Sequence, residues 1–297
     1  VKRRGKPWNI RTSATLKVMG GACLISFSAV FVTLAHTEPT VSAFYRMVLG
    51  GGILMVLTLV KGERLFRGRR QFLTVLAAGF FMAVDLTLWH RCIRFVGPGL
   101  ATLLANFQVF FVAAAGAVFL RERLNWKLAL AIPMAVGGLY LIVGLDWDGF
   151  SSDYKTGVVL GLMAACCYTG YLLFLRMSQA SSTTFATITL ATVCTALFLG
   201  LFSAGQRESF AVPDLQSWVA LAAYALVSQV LGWLLITSGI GRIEASRLGL
   251  VLLLQPTLAF VWDVLFFHRP VTPVEAVGAV LALFAIYLGT MGRVAKP

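Results

Sequence analysis

Few residues in this sequence are equipped to do chemistry, and most of those lie inside long apolar runs. Arg46, Asp85 and Asp263 are ionisable, with His90 near the end of a run. Asn106, Gln108, Gln229 and Gln255 are neutral amides, and Ser26, Ser28, Tyr168 and Thr169 carry hydroxyls. Hydrocarbon offers a polar group no partner, so each should face another protein group or a wet cavity. Amides and hydroxyls can donate to a carboxylate and accept from an ammonium, which suits a neutral or zwitterionic solute. Phe27, Phe107, Tyr168, Tyr171 and Trp233 lie close enough in sequence to these groups to receive an apolar side chain. The plainer alternative is a set of interhelical hydrogen bonds worth ~0.6 kcal/mol each. That reading is preferred for Ser26 and Ser28, and the cavity reading for Gln108 and Gln255.

Arg46 and Asp85 fall at similar depths in neighbouring runs, so an ion pair is expected. Either charge alone in hydrocarbon would cost about 2.5–3.5 kcal/mol. The pair could be a static staple, or a proton-sensitive gate in which protonating Asp85 frees Arg46. Asp263, one turn from the end of its run, is expected to reach the interface or Arg269. Asp85 and Trp89 share a helix face at i, i+4, as do Gln229 and Trp233. The two Trp are candidate opposed gates, with a membrane-interface belt as the alternative for Trp89.

The sequence contains no Gly-x-Ser-x-Gly, no His-Glu-x-x-His and no phosphate loop, so no enzyme activity, cofactor or ATP-driven step is expected. The three His are far apart, and the five Cys have no Cys-x-x-Cys spacing. Buried free thiols are expected, and no metal.

The elements that must position these groups are membrane helices. Of 297 residues, 59% are hydrophobic and 12% charged, against roughly 25% charged in a soluble domain. Mean hydropathy is +0.84. Runs long enough to cross a bilayer occur at 17–36, 40–60, 71–91, 99–119, 126–144, 156–176, 184–203, 216–237, 246–267 and 273–292. Their apolar residues are continuous rather than alternating, which excludes a transmembrane β-barrel. The first run lacks a small-residue cleavage site and is expected to stay as a helix. The expectation is an all-α membrane protein of ten transmembrane helices. With the N-terminus inside, nineteen of the 25 Lys and Arg fall on the cytoplasmic side and five outside. That asymmetry predicts N-in, C-in, and it makes the +13 net charge a topology and lipid-headgroup signal rather than a nucleic-acid one.

The chain also repeats itself. Aligning Gln108 with Gln255 brings Leu103 onto Leu250, Phe119 onto Phe266 and Tyr140 onto Tyr287 without a gap. A second gapless register sets Asp85 on Gln229 and Trp89 on Trp233. The divisions are a basic cytoplasmic tail (1–15), repeat one (16–144), an external linker (145–155), repeat two (156–292) and a short tail (293–297). Five helices per repeat is odd, so the repeats face opposite ways, the inverted architecture of many secondary transporters.

Several motifs resemble the drug/metabolite transporter superfamily in its ten-helix form with two EamA-type repeats. The Phe44, Tyr45, Arg46 run is similar to the family's arginine-bearing second helix, and Gln255, Pro256 to its Gln/Glu-Pro in the ninth. Arg121, Glu122, Arg123 and Leu124 resemble its Gly-Glu-Arg-Leu. Val109 replaces the first repeat's proline, Arg269 stands where Glu is usual, and Phe27 where Trp is common. The resemblance implies a secondary exporter of small metabolites in a bacterial-type inner membrane, amino acids foremost, including hydrophobic and aromatic ones. A receptor or scaffold that binds a small ligand without moving it is the alternative. The expected partners are a small-molecule substrate and membrane lipid, with no nucleic acid, in a monomer or weak homodimer.

Single-cysteine labelling in a cysteine-free background checks the topology. Both termini and the 61–70 and 120–127 loops should label from the cytoplasmic side, and the 146–155 loop from outside. External labelling at position 65 would overturn the ten-span count.

Overall fold

The computed structural model describes residues 7–108, 110, 111, 115, 126–143, 151–179, 183–240, 254–268 and 270–290. Val109, Phe119, the 121–124 motif, Leu250, Leu252, Arg269 and both chain ends lie outside these residues. Every regular element described is a helix. In chain order they are α1 (Pro7–Ser26), α2 (Ser28–Leu34), α3 (Pro39–Val60), α4 (Arg69–Val96), α5 (Pro98–Ala105), α6 (Trp126–Val143), α7 (Ser152–Gln179) and α8 (Thr184–Gly205). There follow α9 (Leu215–Ala223), a π-helical stretch (Tyr224–Gly232), α10 (Trp233–Ile240), α11 (Leu254–Phe267) and α12 (Pro273–Thr290). Among the described residues, six segments are long and apolar enough to cross a membrane, with shorter apolar helices at Ala129–Gly138, Leu254–Phe267 and Pro273–Leu288.

Local chemistry sets the boundaries. Helices α3, α5 and α12 begin at prolines, whose missing N–H costs nothing at a helix start. Gly97, at φ +82°, turns the chain sharply between α4 and Pro98. Asp214 caps α9 by accepting the Ser217 N–H at 2.6 Å. The His36 ring at 3.0 Å and that N–H hold the exposed Asp214 carboxyl below its ordinary range.

The packing is inverted relative to a soluble protein. Leu197 and Leu201 of α8 are 63% and 67% exposed. Thr187, Thr189, Thr192 and Thr195 of the same helix are buried. Hydroxyls bond inside, as Thr58 does with Thr189 at 2.7 Å. Such a surface is stable only in hydrocarbon, so the molecule is an all-α integral membrane protein.

Helix pairing follows a pattern. Helix α4 packs along α7, and α1 along the π stretch and α10; α3 meets α8, α5 meets α11 and α6 meets α12. Numbered by the ten apolar runs, these are pairs 3–6, 1–8, 2–7, 4–9 and 5–10. Exchanging each run for the one five places away turns 3–6 into 8–1 and leaves the other three unchanged, as a pseudo-two-fold axis requires.

The first run forms one apolar span, Ser13–Leu34, with the helical pattern interrupted at Phe27 (φ −72°, ψ −8°) between α1 and α2. The fourth run breaks in the same way at Asn106 (φ −74°, ψ −8°).

Small residues allow the close pairs. A Cβ on Gly79 would lie 2.5 Å from the Cβ of Cys194 and 3.0 Å from the Thr195 nitrogen, forcing α4 off α8. A Cβ on Gly52 would meet nothing within 4 Å. Gly79→Ala should therefore destabilise the protein by about 1–3 kcal/mol, and Gly52→Ala should not. Thermal unfolding in detergent checks this; equal melting temperatures for the two variants would contradict the packing.

Candidate functional site

A cavity of about 90 Å³ lies at the centre, where the two helix breaks meet. Ser26 and Ser28 flank the first break, while Asn106 and Gln108 lie at and just beyond the second, and all four reach the cavity wall. Asp85 and Trp89 enter from α4, Tyr168 from α7, Trp233 from α10, Gln255 from α11 and Arg46 from α3. Broken helices suit such a place, because irregular backbone at membrane depth is tolerated where it lines a cavity. Asn106 ends α5 by donating its amide N–H to the Thr102 carbonyl at 2.8 Å.

Arg46 is the most demanding group, a permanent charge only 3% exposed. Its Nε–H donates to Gln229 Oε1 at 2.9 Å, and an Nη1–H to the Tyr224 hydroxyl at 2.7 Å. The guanidinium also lies over the Tyr224 ring, 4.5 Å from its centroid, where the ring's negative face attracts it. Gln229 is anchored in turn by donating to Thr192 Oγ1 at 3.0 Å. The Tyr224 hydroxyl lies 3.3 Å from His90 Nε2, and His90 Nδ1 lies 2.7 Å from the Leu86 carbonyl. The carbonyl can only accept, so Nδ1 donates to it, and the ring meets the Tyr224 hydroxyl through Nε2.

The π stretch makes this clasp. Tyr224 and Gln229 are five apart, which on an α-helix points them roughly 140° away from each other. Bonding from i to i+5 stacks them on one face instead. Gly50 clears the approach, since a Cβ there would lie 2.7 Å from Gln229 Cγ.

The structure therefore revises several expectations. Gln229 is not at the cavity wall; the wider π turn rotates it onto Arg46. Arg46 and Asp85 both reach the cavity but make no ion-pair contact; among the described residues Asp85 makes no hydrogen bond either. Asp263 is buried, and its Oδ2 accepts the Gly99 N–H at 3.0 Å, at the start of α5; Arg269, its other expected partner, lies outside the described residues. Phe27 stands back from the wall and stacks on Trp262 at 4.6 Å between centroids. Tyr171 lies behind Tyr168 and meets Trp233 edge-on. Ser26 accepts from Trp262 Nε1 at 2.9 Å and donates to the Cys23 carbonyl, as the bundle-holding reading expects. Gln108 and Gln255 reach the same cavity. Trp89 is buried at its wall rather than set in an interfacial belt.

Tyr224, Thr192 and Trp262 were not singled out from sequence. Tyr224 carried a signal only for a reader expecting a π turn, because α spacing sends it away from Gln229. Thr192 and Trp262 gave no signal among many similar residues.

One turn further along α4 is a wider vestibule of about 790 Å³, lined by His36, Ser42, His90, Arg94, Tyr154 and Asp263 among others. Its rim is tied by Arg94 to Glu38 at 3.2 Å and to the Thr37 carbonyl at 2.9 Å. Nearby, Arg91 and Thr40 share Glu208 Oε1.

The EamA-like transporter family matches the sequence twice, over residues 12–144 and 155–291. The chain belongs to that family. It is thus a membrane transporter built of two EamA repeats. The "Threonine/homoserine exporter RhtA" of Escherichia coli (strain K12) is 27% identical over 288 residues, 94% of this chain and 88% of that one. A "Probable amino-acid metabolite efflux pump" of Salmonella typhimurium is 26% identical over 210 residues, 67% of this chain and 70% of the relative. A solved crystal structure superposes with a TM-score of 0.69 over 94% of this chain and 96% of that one, at 19% identity, a likeness of fold.

The clasp makes a direct prediction. Gln229→Leu leaves a buried Arg46 N–H without its acceptor and should cost about 1.5–3 kcal/mol. Gln229→Glu keeps an acceptor and should melt closer to the parent. If both variants melt as the parent does, Gln229 does not carry Arg46.

Proposed function

We propose that this transporter exports small metabolites, chiefly amino acids including hydrophobic and aromatic ones, across a bacterial-type inner membrane, with both termini in the cytoplasm. The mechanism is secondary and works by alternating access. Two oppositely oriented repeats exchange conformations and expose the central cavity first to one side, then to the other. The charge asymmetry of the loops supports the orientation, and the names of the relatives support the substrate class.

The observation that carries this reading is the cavity wall itself. It presents a cation, an anion, amides and aromatic faces together at membrane depth. Such a wall can pair both charges of an amino acid and shelter an apolar side chain, at a site flanked by broken helices. In this scheme Trp89 and Trp233 are the opposed gates. Trp89 separates the cavity from the vestibule on the expected outer side, and Trp233 with Tyr171 stands toward the other.

Reconstitution in liposomes tests the function. Labelled amino acids should exchange across vesicles containing the protein, and empty vesicles should show no such flux. Measurable binding of an amino acid with no flux of any solute would favour a receptor instead. Gln255→Leu should lower flux several-fold with little change in expression or melting temperature, because it removes a polar group from the wall without opening a packed contact. Normal flux in that variant would contradict its place in the transport cavity.

A further inference from the structure

The central cavity holds two opposite charges that do not touch, and this follows from how each is held. Arg46 has five N–H groups. Among the described residues two of them are engaged, by Gln229 and Tyr224. Both partners belong to the π stretch, and Arg46 itself lines the cavity. Asp85, from α4, is 6% exposed and reaches the same cavity with no hydrogen bond among the described residues.

Other wall groups are open as well. Trp89 Nε1 is a buried donor, Gln108 Oε1 a buried acceptor and the Ser28 hydroxyl a buried donor and acceptor, none with a partner among the described residues. All three residues line this cavity. Buried polar atoms are almost always paired in folded proteins. Three such atoms line this one wall beside Arg46 and Asp85, where a bound solute can pair with them. A single charge of either sign would recommend an ion; a separated pair recommends a molecule carrying both signs.

We propose that Arg46 and Asp85 are the two anchors of a zwitterion site. The guanidinium takes the carboxylate of one small α-amino acid, and the Asp85 carboxylate takes its ammonium. Trp89 Nε1 and Gln108 Oε1 then add a donor and an acceptor beside the bound backbone atoms. Specificity for the amino-acid class therefore resides in this pair, while the aromatic and amide wall selects the side chain. The assignment rests on the exporter reading and sharpens it: the transporter should require both charges on one solute.

Counterflow in proteoliposomes tests this with named probes: L-alanine, L-threonine, L-leucine and L-phenylalanine. For whichever moves, competitors are its carboxamide, which lacks the anion, and its des-amino acid, which lacks the cation. In the parent protein both should compete at least about tenfold more weakly than the amino acid, as expected for losing one charged hydrogen bond. Asp85→Asn removes no hydrogen bond of the protein. It should weaken the amino acid about tenfold and leave the des-amino acid unchanged, closing the gap between them. Arg46→Lys keeps a charge but loses the planar fork, and should narrow the gap between amino acid and carboxamide. The anchors are overturned if the parent accepts carboxamide or des-amino acid as readily as the amino acid, or if either variant leaves its own gap intact. Flux of putrescine or succinate with none of the four amino acids would also overturn them, while leaving the exporter reading in place. Failure to move any solute would remove both.

Discussion

The structure is organised around one electrostatic constraint, the burial of Arg46. A guanidinium cannot lose its proton to escape hydrocarbon, so its charge has to be met by fixed partners. A carboxylate contact would do so at short range, yet the protein uses neutral groups: the Gln229 amide, the Tyr224 hydroxyl and the Tyr224 ring. Neutral partners satisfy N–H groups without cancelling the charge. The positive field therefore remains available at the cavity, facing Asp85 rather than being consumed by it.

Much of the surrounding architecture serves that arrangement. The π stretch gathers Tyr224 and Gln229 onto one face, Gly50 lets the helices come close enough, and Thr192 fixes the outer end of the amide. His90 meets the Tyr224 hydroxyl through Nε2 and the Leu86 carbonyl through Nδ1. Residues beside the breaks at Phe27 and Asn106 line the cavity that Arg46 also lines, and the breaks have nearly the same backbone angles in the first and fourth runs. The clasp and the cavity are two halves of one design, since a charge bonded on all sides could not engage a guest.

How much of this the sequence revealed depended on length scale. The apolar runs were legible because hydrocarbon thickness dictates their length, and the repeat because Gln, Trp and Tyr recur in register. Gln108 and Gln255 were matched by the repeat, and both line the one cavity. The partner of Arg46 could not be read that way. Depth matched it with Asp85, but azimuth around the helix decides contacts, and a π turn in the eighth run alters azimuth without any mark in composition. Nor could the sequence place Gly99 against Asp263, since the Gly97 turn sets where α5 begins. The breaks in the first and fourth runs were unmarked too, as neither Phe27 nor Asn106 is adjacent to a glycine or proline.

These features amount to one claim: a single cavity, held by a clasped charge, is reached from one side at a time. Quenching of single-Trp variants by iodide addresses it most directly, with Trp89 or Trp233 retained and the other five and the remaining gate replaced by Phe. Adding a transported amino acid to one side should shift the accessibility of the two Trp in opposite directions, one gaining as the other loses. If both change together, or neither is reached from water in any condition, the two residues do not flank an alternately exposed cavity and the account fails.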